Sequence, residues 1–210
     1  MYKDRHEAGL MLAEKLRKYR GADAVVLGLP RGGVVVAAAV AKKIDLPLDI
    51  VIARKIGHPN NPEYAIGVVD ERGTTILNPL ETETVDQTWL REEMKRQQQE
   101  AKRRVETYRG KRPQLPLSEK TVIIVDDGIA TGLTMRAAIR SLRRESPIEI
   151  IAAAPIAPRE VVECLRGEAD DVIVLDDTEP FLGAIGAYYK SFPQVTDEEV
   201  IRIMADYQNT

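Results

Sequence analysis

The chain has 210 residues, with 30 Lys and Arg against 33 Asp and Glu, a formal charge of −3. That length suits one domain, 44% hydrophobic residues supply a core, and the near-neutral balance lacks the basic excess of a dedicated nucleic-acid binder. A single cysteine, Cys164, permits no internal disulfide, and no Cys or His cluster has metal-ligand spacing. The longest apolar run, Val34 to Ala41, is far short of the roughly 20 residues needed to span a bilayer, and the first residues lack the apolar core of a signal peptide. A cytoplasmic protein is expected, with neither nucleic acid nor membrane as partner.

Ala8, Leu12, Leu16 and Tyr19 recur at helical spacing, which predicts an amphipathic helix from about Asp4 to Tyr19, stopped by Gly21. Ala24 to Gly28 reads as a buried strand, followed by the tight sequence Leu29-Pro30-Arg31-Gly32-Gly33 and an Ala-rich helix to about Ile44. Leu48 to Ala53 is a second buried strand. After Arg54-Lys55, the segment from Gly57 to Gly73 is rich in Gly, Pro and Asn and reads as a long loop or loose hairpin. Glu81 to Tyr108 contains no Gly or Pro and is dominated by Glu, Arg, Gln and Lys, which predicts one long solvated helix. Strand and helix then alternate: Thr121 to Val125, Met135 to Arg144, Glu149 to Ala154, Arg159 to Leu165 and Val172 to Leu175. An aromatic tail with Phe181, Tyr188, Tyr189 and Phe192, read as core, precedes a final helix from about Asp197 to Tyr207.

Buried strands alternating with helices imply an α/β fold, a mostly parallel twisted sheet with helices on both faces. Ligands of such sheets bind beyond the carboxyl ends of the strands. The two most chemically loaded segments, residues 29–33 and 126–134, fall there. In the second, an apolar strand ends in Asp126-Asp127 and passes through Gly128-Ile129-Ala130-Thr131-Gly132-Leu133-Thr134 into a helix. A helix N-terminus offers unpaired amides and partial positive charge to a phosphate, and the Thr131 and Thr134 hydroxyls can add donors. Two carboxylates would repel that phosphate, so they need donors, which sugar hydroxyls supply. The segment reads as a ribose 5-phosphate site.

It also resembles the phosphoribosyl pyrophosphate (PRPP) motif of type I phosphoribosyltransferases. The five fixed positions of Asp-Asp-x-x-x-Thr-Gly-x-Thr would arise by chance in such a chain with a probability on the order of 10⁻⁴ or less. The resemblance implies that Asp126 and Asp127, the catalytic acids, hold the ribose 2- and 3-hydroxyls, and that Ala130, Thr131, Gly132, Leu133 and Thr134 hold the 5-phosphate. Gly28 to Gly33 is similar to the family's pyrophosphate loop, giving that role to Arg31, Gly32 and Gly33. Arg54-Lys55 is similar to the segment preceding the mobile loop in adenine and orotate enzymes, again a pyrophosphate role. The resemblance spans about residues 22–177. It implies one domain over residues 1–210, with an inserted helix near 81–109 and a C-terminal hood near 178–210 that residues 1–21 join. The implied reaction transfers phosphoribose from PRPP to a nitrogen nucleophile, a nucleobase or an amine, with Mg2+ carried mainly by PRPP and no protein metal site. A homo-oligomer, a dimer, is the expected assembly.

The charged helix after Glu81 departs from the small family members. Where hypoxanthine-guanine enzymes carry an Asp for the purine ring, this chain has Ala130, which disfavours 6-oxopurines. The same fold and sugar-phosphate loop serve transcriptional regulators, so a regulator that binds PRPP or a nucleotide without chemistry is the alternative. Residues 126–134 lack the Lys of a Walker A loop and residues 28–33 lack the G-x-G-x-x-G spacing. His58, alone in its loop, and the pairs Asp170-Asp171 and Asp176-Asp177 read as surface features.

Overall fold

The continuous apolar runs form the strands of one parallel sheet. The computed structural model describes residues 1–110 and 112–207, with all their side chains except those of Glu63 and Thr178. In chain order the elements are α1 (Arg5–Lys15), β1 (Ala24–Gly28), α2 (Gly32–Ile44), β2 (Leu48–Ile50), β3 (Ala53–His58), β4 (Asn61–Asp70), β5 (Thr75–Leu77), α3 (Pro79–Thr82) and α4 (Gln87–Arg109). Then follow β6 (Thr121–Val125), α5 (Leu133–Arg143), β7 (Glu149–Pro158), α6 (Arg159–Arg166), β8 (Asp171–Thr178) and α7 (Asp197–Asp206).

The main sheet has the order β2-β1-β6-β7-β8, parallel throughout, with Val26 opposite Leu48 on one side and Ile123 on the other. Both faces are covered, so the central strands alternate between two cores and are apolar almost throughout. Val26, Ile123 and Ile151 meet α1, α2 and α7 through Leu12, Val36, Val40 and Met204. Ile124 and Ile150 meet α5 and α6 through Met135, Ile139 and Leu165. Removing side chains of this size from water contributes about 1.5–3 kcal/mol each. The chain runs from β1 outward to β2 and returns on the other side of β1 as β6. The crevice between the carboxyl ends of β1 and β6 is therefore the topological switch point, where such sheets take their ligands. The Leu29 amide bonds the Val125 carbonyl at 2.9 Å, so the loops leaving both strands start in contact.

Two expectations are corrected. The segment from Gly57 to Gly73 is no long loop: it belongs to an ordered antiparallel sheet, β3-β4-β5, in which Ile66, Val68 and Val69 are buried. The hairpin alternative is the one realised, with register shifts around Gly57. The helix expected from Glu81 to Tyr108 is two helices, because the Asp86 side chain caps Trp89 N at 2.8 Å and starts α4 there. Val85, in the break, packs with Ile56, Ile66 and Leu90 between α4 and the small sheet. At its other end α4 is fixed to the main sheet by a buried ion pair, Arg109 Nε to Asp49 Oδ1 at 3.0 Å. The N-terminal residues pair with the C-terminal tail: Tyr2 N bonds Tyr188 O and Lys190 N bonds Tyr2 O, both at 2.8 Å. Of the chain's last residues, 208–210 lie outside the described part, as does Lys111.

Candidate functional site at the carboxyl ends of β1 and β6

The acid pair sits at the end of β6. Asp126 N donates to Ala153 O at 3.2 Å, which keeps the backbone in line with the sheet, and Asp127 N donates to Asp126 Oδ1 at 2.8 Å. Burial, and then the neighbouring Asp127 charge, push the Asp126 carboxyl well above the usual carboxylate range. Each acid has one oxygen engaged within the protein: Oδ1 of Asp126 by the Asp127 amide, and Oδ2 of Asp127 by Arg5 Nε at 2.6 Å. The two carboxyl groups also meet each other side by side.

The turn that follows leaves several backbone donors open. Gly132 takes φ +74 as the residue before α5, a conformation that L side chains avoid. Ala130 and Thr131 are exposed at the turn. Neither the Gly132, Leu133 and Thr134 amides nor the Thr131 and Thr134 hydroxyls find an acceptor among the described residues. α5 begins at Leu133, two residues earlier than expected, so Leu133 and Thr134 belong to its first turn.

The glycine loop closes the other wall. A Cβ on Gly33 would lie 2.8 Å from Val125 O and 2.9 Å from both Cα and Oδ1 of Asp126, while one on Gly32 would overlap the Asp127 carboxylate. These glycines therefore have a second reason beyond exposing amides: they let the loop pack onto the acids. The Pro30–Arg31 peptide is cis. Arg31 itself is drawn toward the C-terminal helix, with Nη1 3.3 Å from Asp197 Oδ1, an oxygen that also accepts from Tyr108 Oη at 2.6 Å. The Tyr108 hydrogen bond and Arg31 hold the Asp197 carboxyl below the usual range, and burial with that same bond pushes the Tyr108 hydroxyl up to about 12.

Arg54 and Lys55 leave β3 on opposite faces, as strand neighbours do. Arg54 turns to α4, where Nε bonds Gln97 Oε1 at 3.0 Å, and burial together with the Arg104 charge lowers its guanidinium pKa. Lys55 is exposed. Both line an open cavity of about 350 Å3 with His58, Trp89, Arg96 and Gln97. The Arg104 charge on α4 reaches Arg54, Tyr108 and Asp197 alike.

Sequence reasoning did not find the residues that reach the acids from the chain's two ends. Tyr189 Oη donates to Asp127 O at 2.6 Å. Arg5 bonds Asp127 itself. The tail aromatics do serve as core: Tyr188 and Tyr189 are buried with Tyr2, and half-buried Phe181 and Phe192 pack against them, Phe192 4.8 Å from Tyr189, ring centre to ring centre. Nothing local in the sequence marks Arg5. His58, by contrast, is a turn residue, its Nδ1 accepting from Asn60 N at 3.2 Å.

A parallel sheet with an acid pair and an anion-receptive helix start at its switch point is the arrangement of the type I phosphoribosyltransferase fold. The comparison with known families agrees: the family described as "Phosphoribosyl transferase domain" matches residues 5–181, and the chain belongs to it. Proteins of two Mycobacterium tuberculosis strains, each provisionally named a phosphoribosyl transferase, are 39% identical over 206 residues, covering 97% of this chain. The chain spans 46% of the length of those relatives. A crystal structure of TT1426 from Thermus thermophilus superposes with a TM-score of 0.83 at 43% identity, covering 99% of both chains.

Proposed function

We propose that the protein transfers the 5-phosphoribosyl group of PRPP to a nitrogen nucleophile, a nucleobase or an amine, and releases pyrophosphate. The bond from ribose C1 to the diphosphate oxygen breaks, a bond from C1 to nitrogen forms, and the nitrogen loses its proton. The observation that carries this reading is the pair of adjoining carboxyls, Asp126 and Asp127, at the end of β6 beside the unpartnered amides of Gly132 to Thr134. Two adjacent acceptors suit vicinal ribose hydroxyls, and the amides suit the 5-phosphate.

Departure of a diphosphate leaves an oxocarbenium-like centre, so the protein's task is to fix the sugar and stabilise the leaving charge. Amides of the Arg31-Gly32-Gly33 loop, with Arg54 and Lys55, would serve the pyrophosphate. Among the described residues no group of three or more His, Cys, Asp or Glu is placed to hold a metal. The acid pair can supply only part of an octahedral shell, which fits Mg2+ that arrives with the diphosphate and keeps substrate and water as its main ligands. When bound, that ion would neutralise leaving-group charge. No helix among the described residues is long and apolar enough to cross a membrane.

The test is to mix protein, PRPP and Mg2+ with a panel of bases and amines and to follow pyrophosphate release. Acceptor-dependent release supports the transferase. Tight PRPP binding with no release for any acceptor would favour the regulator instead, and absence of binding would remove both readings.

A further inference from the structure

Arg5 is the first residue of α1, where a cation is disfavoured by the helix dipole, and its side chain is 9% exposed. Burying a guanidinium is costly unless its donors are satisfied. What satisfies this one lies wholly on the candidate site and the C-terminal tail. Nε donates to Asp127 Oδ2 at 2.6 Å, Nη1 donates to Pro193 O at 2.7 Å, and the guanidinium carbon lies 3.6 Å from the centre of the Phe192 ring. These partners are 122 and 188 residues away in sequence for the two hydrogen bonds. Gly32 completes the enclosure, since a Cβ there would lie 2.9 Å from Arg5 Nε as well as overlapping the Asp127 carboxylate.

We propose that Arg5 is a positioning residue for sugar binding: it holds the Asp127 carboxylate in place through Oδ2 to meet a ribose hydroxyl, and ties that carboxylate to the tail segment Phe192–Pro193. The inference rests on the PRPP reading. Its consequence is that α1, outside the motif and outside the strands that carry it, sets the geometry of the ribose site. A second consequence is that the tail and the sugar site share one guanidinium, so displacement of Pro193 disturbs Asp127. Both Arg5 hydrogen bonds go to Asp127 and Pro193, and neither goes to the loop amides given to the pyrophosphate. Its contribution is therefore to ligands that carry the ribose hydroxyls, and not to pyrophosphate alone.

That difference supplies the experiment. Titration calorimetry with PRPP and Mg2+, with ribose 5-phosphate, and with pyrophosphate and Mg2+ is run on the wild-type protein, Arg5→Ala and Arg5→Lys. Arg5→Ala is expected to weaken PRPP and ribose 5-phosphate by about tenfold, as for loss of a charge-assisted contact, and to leave pyrophosphate unchanged. Added guanidinium is expected to restore part of the lost sugar affinity where ammonium does not. Arg5→Lys keeps the charge but cannot span Asp127 and Pro193 together, so it should show the same selective loss at smaller size; this arm decides if Arg5→Ala does not fold. Equal loss for all three ligands, with no guanidinium rescue, would make Arg5 a merely structural residue and overturn the proposal. Tighter ribose 5-phosphate binding by Arg5→Ala would also overturn it, by making Arg5 an occupant that blocks Asp127. A wild-type protein that binds none of these ligands would instead refute the PRPP reading, and the positioning role with it.

Discussion

Gly33→Ala tests whether the glycine loop and the acid pair are packed as one unit. The added methyl would meet Val125 O at 2.8 Å, Asp126 Cα at 2.9 Å and Asp126 Oδ1 at 2.9 Å. Two of those three are main-chain atoms at the end of β6, in the sheet's centre, so the loop rather than the strand must retreat, by about half an ångström to reach ordinary contact. Overpacking of this kind costs about 1–3 kcal/mol, with the rigid neighbours placing it in the upper half of that range. The position lies in the first turn of α2, where replacing Gly by Ala returns roughly 0.5–1 kcal/mol of chain entropy. The net expectation is a loss of about 1–2.5 kcal/mol, which for a chain of this size lowers the melting temperature by about 2–10 °C. Displacing the loop by half an ångström should also weaken PRPP about tenfold, since misplacement by one ångström can cost a hundredfold. Scanning calorimetry and PRPP titration measure both effects. Gly167→Ala is the control: its Cβ would meet only Cys164 O, at 3.4 Å, at a φ of −79, and it should be neutral or stabilising by about 0.4–1 kcal/mol. A Gly33→Ala protein that melts within about 1 °C of the wild type with unchanged PRPP affinity would refute the packing argument.

Three further outcomes are expected. Asp127→Ala and Thr131→Ala should each reduce PRPP affinity by the worth of a charge-assisted hydrogen bond, about 1.5–3 kcal/mol, and calorimetry giving wild-type affinity for both would refute the assignment of acids and turn. Hypoxanthine and guanine should be poor acceptors because Ala130 offers the purine ring no carboxylate; in a pyrophosphate-release assay, turnover of either faster than adenine, orotate, uracil or simple amines would contradict this. Asp197 is held below its ordinary pKa by the Tyr108 hydroxyl and then Arg31, so its stabilising contribution is complete above the unfolded carboxylate pKa and lost as pH falls through the lower folded value. Asp197→Asn should therefore flatten the acid limb of stability against pH in urea titrations, and an acid limb identical to the wild type would show that the Tyr108–Asp197–Arg31 contacts do not stabilise the fold.

How much of this was readable in the sequence depends on how local each feature is. The strand, acid pair, turn and helix of residues 121–143 occupy consecutive positions, and each uses residues whose physical preference is strong on its own. They could be read without knowing their neighbours. Gly57 was misleading for the opposite reason. It reads as a loop glycine, yet its place is against the Pro62 backbone across the β3–β4 pair, where no side chain fits, so it marks close approach of two strands rather than freedom. The break in the long charged helix was missed because it contains no Gly or Pro. It comes from the Asp86 cap and from Val85, which is buried only because the small sheet lies beneath it. Arg5, Tyr189 and Asp197 were invisible for a simpler reason: each acts on a partner far away along the chain, and no pattern within any one segment encodes that meeting.

The order of the main strands has a consequence for how the protein comes into being on the ribosome. β3, β4 and β5 pair with near neighbours, and α4 follows at once to cover them, so this half of the chain can organise early. β1 waits much longer, because the strand it needs on its inner side, β6, is synthesised roughly a hundred residues later. Until then the glycine loop has no acids to rest against, and Asp127 has no tail to anchor it until Tyr189 and Pro193 emerge. The sugar site is thus among the last features that translation completes, and a ligand can stabilise only chains that have already finished the sheet.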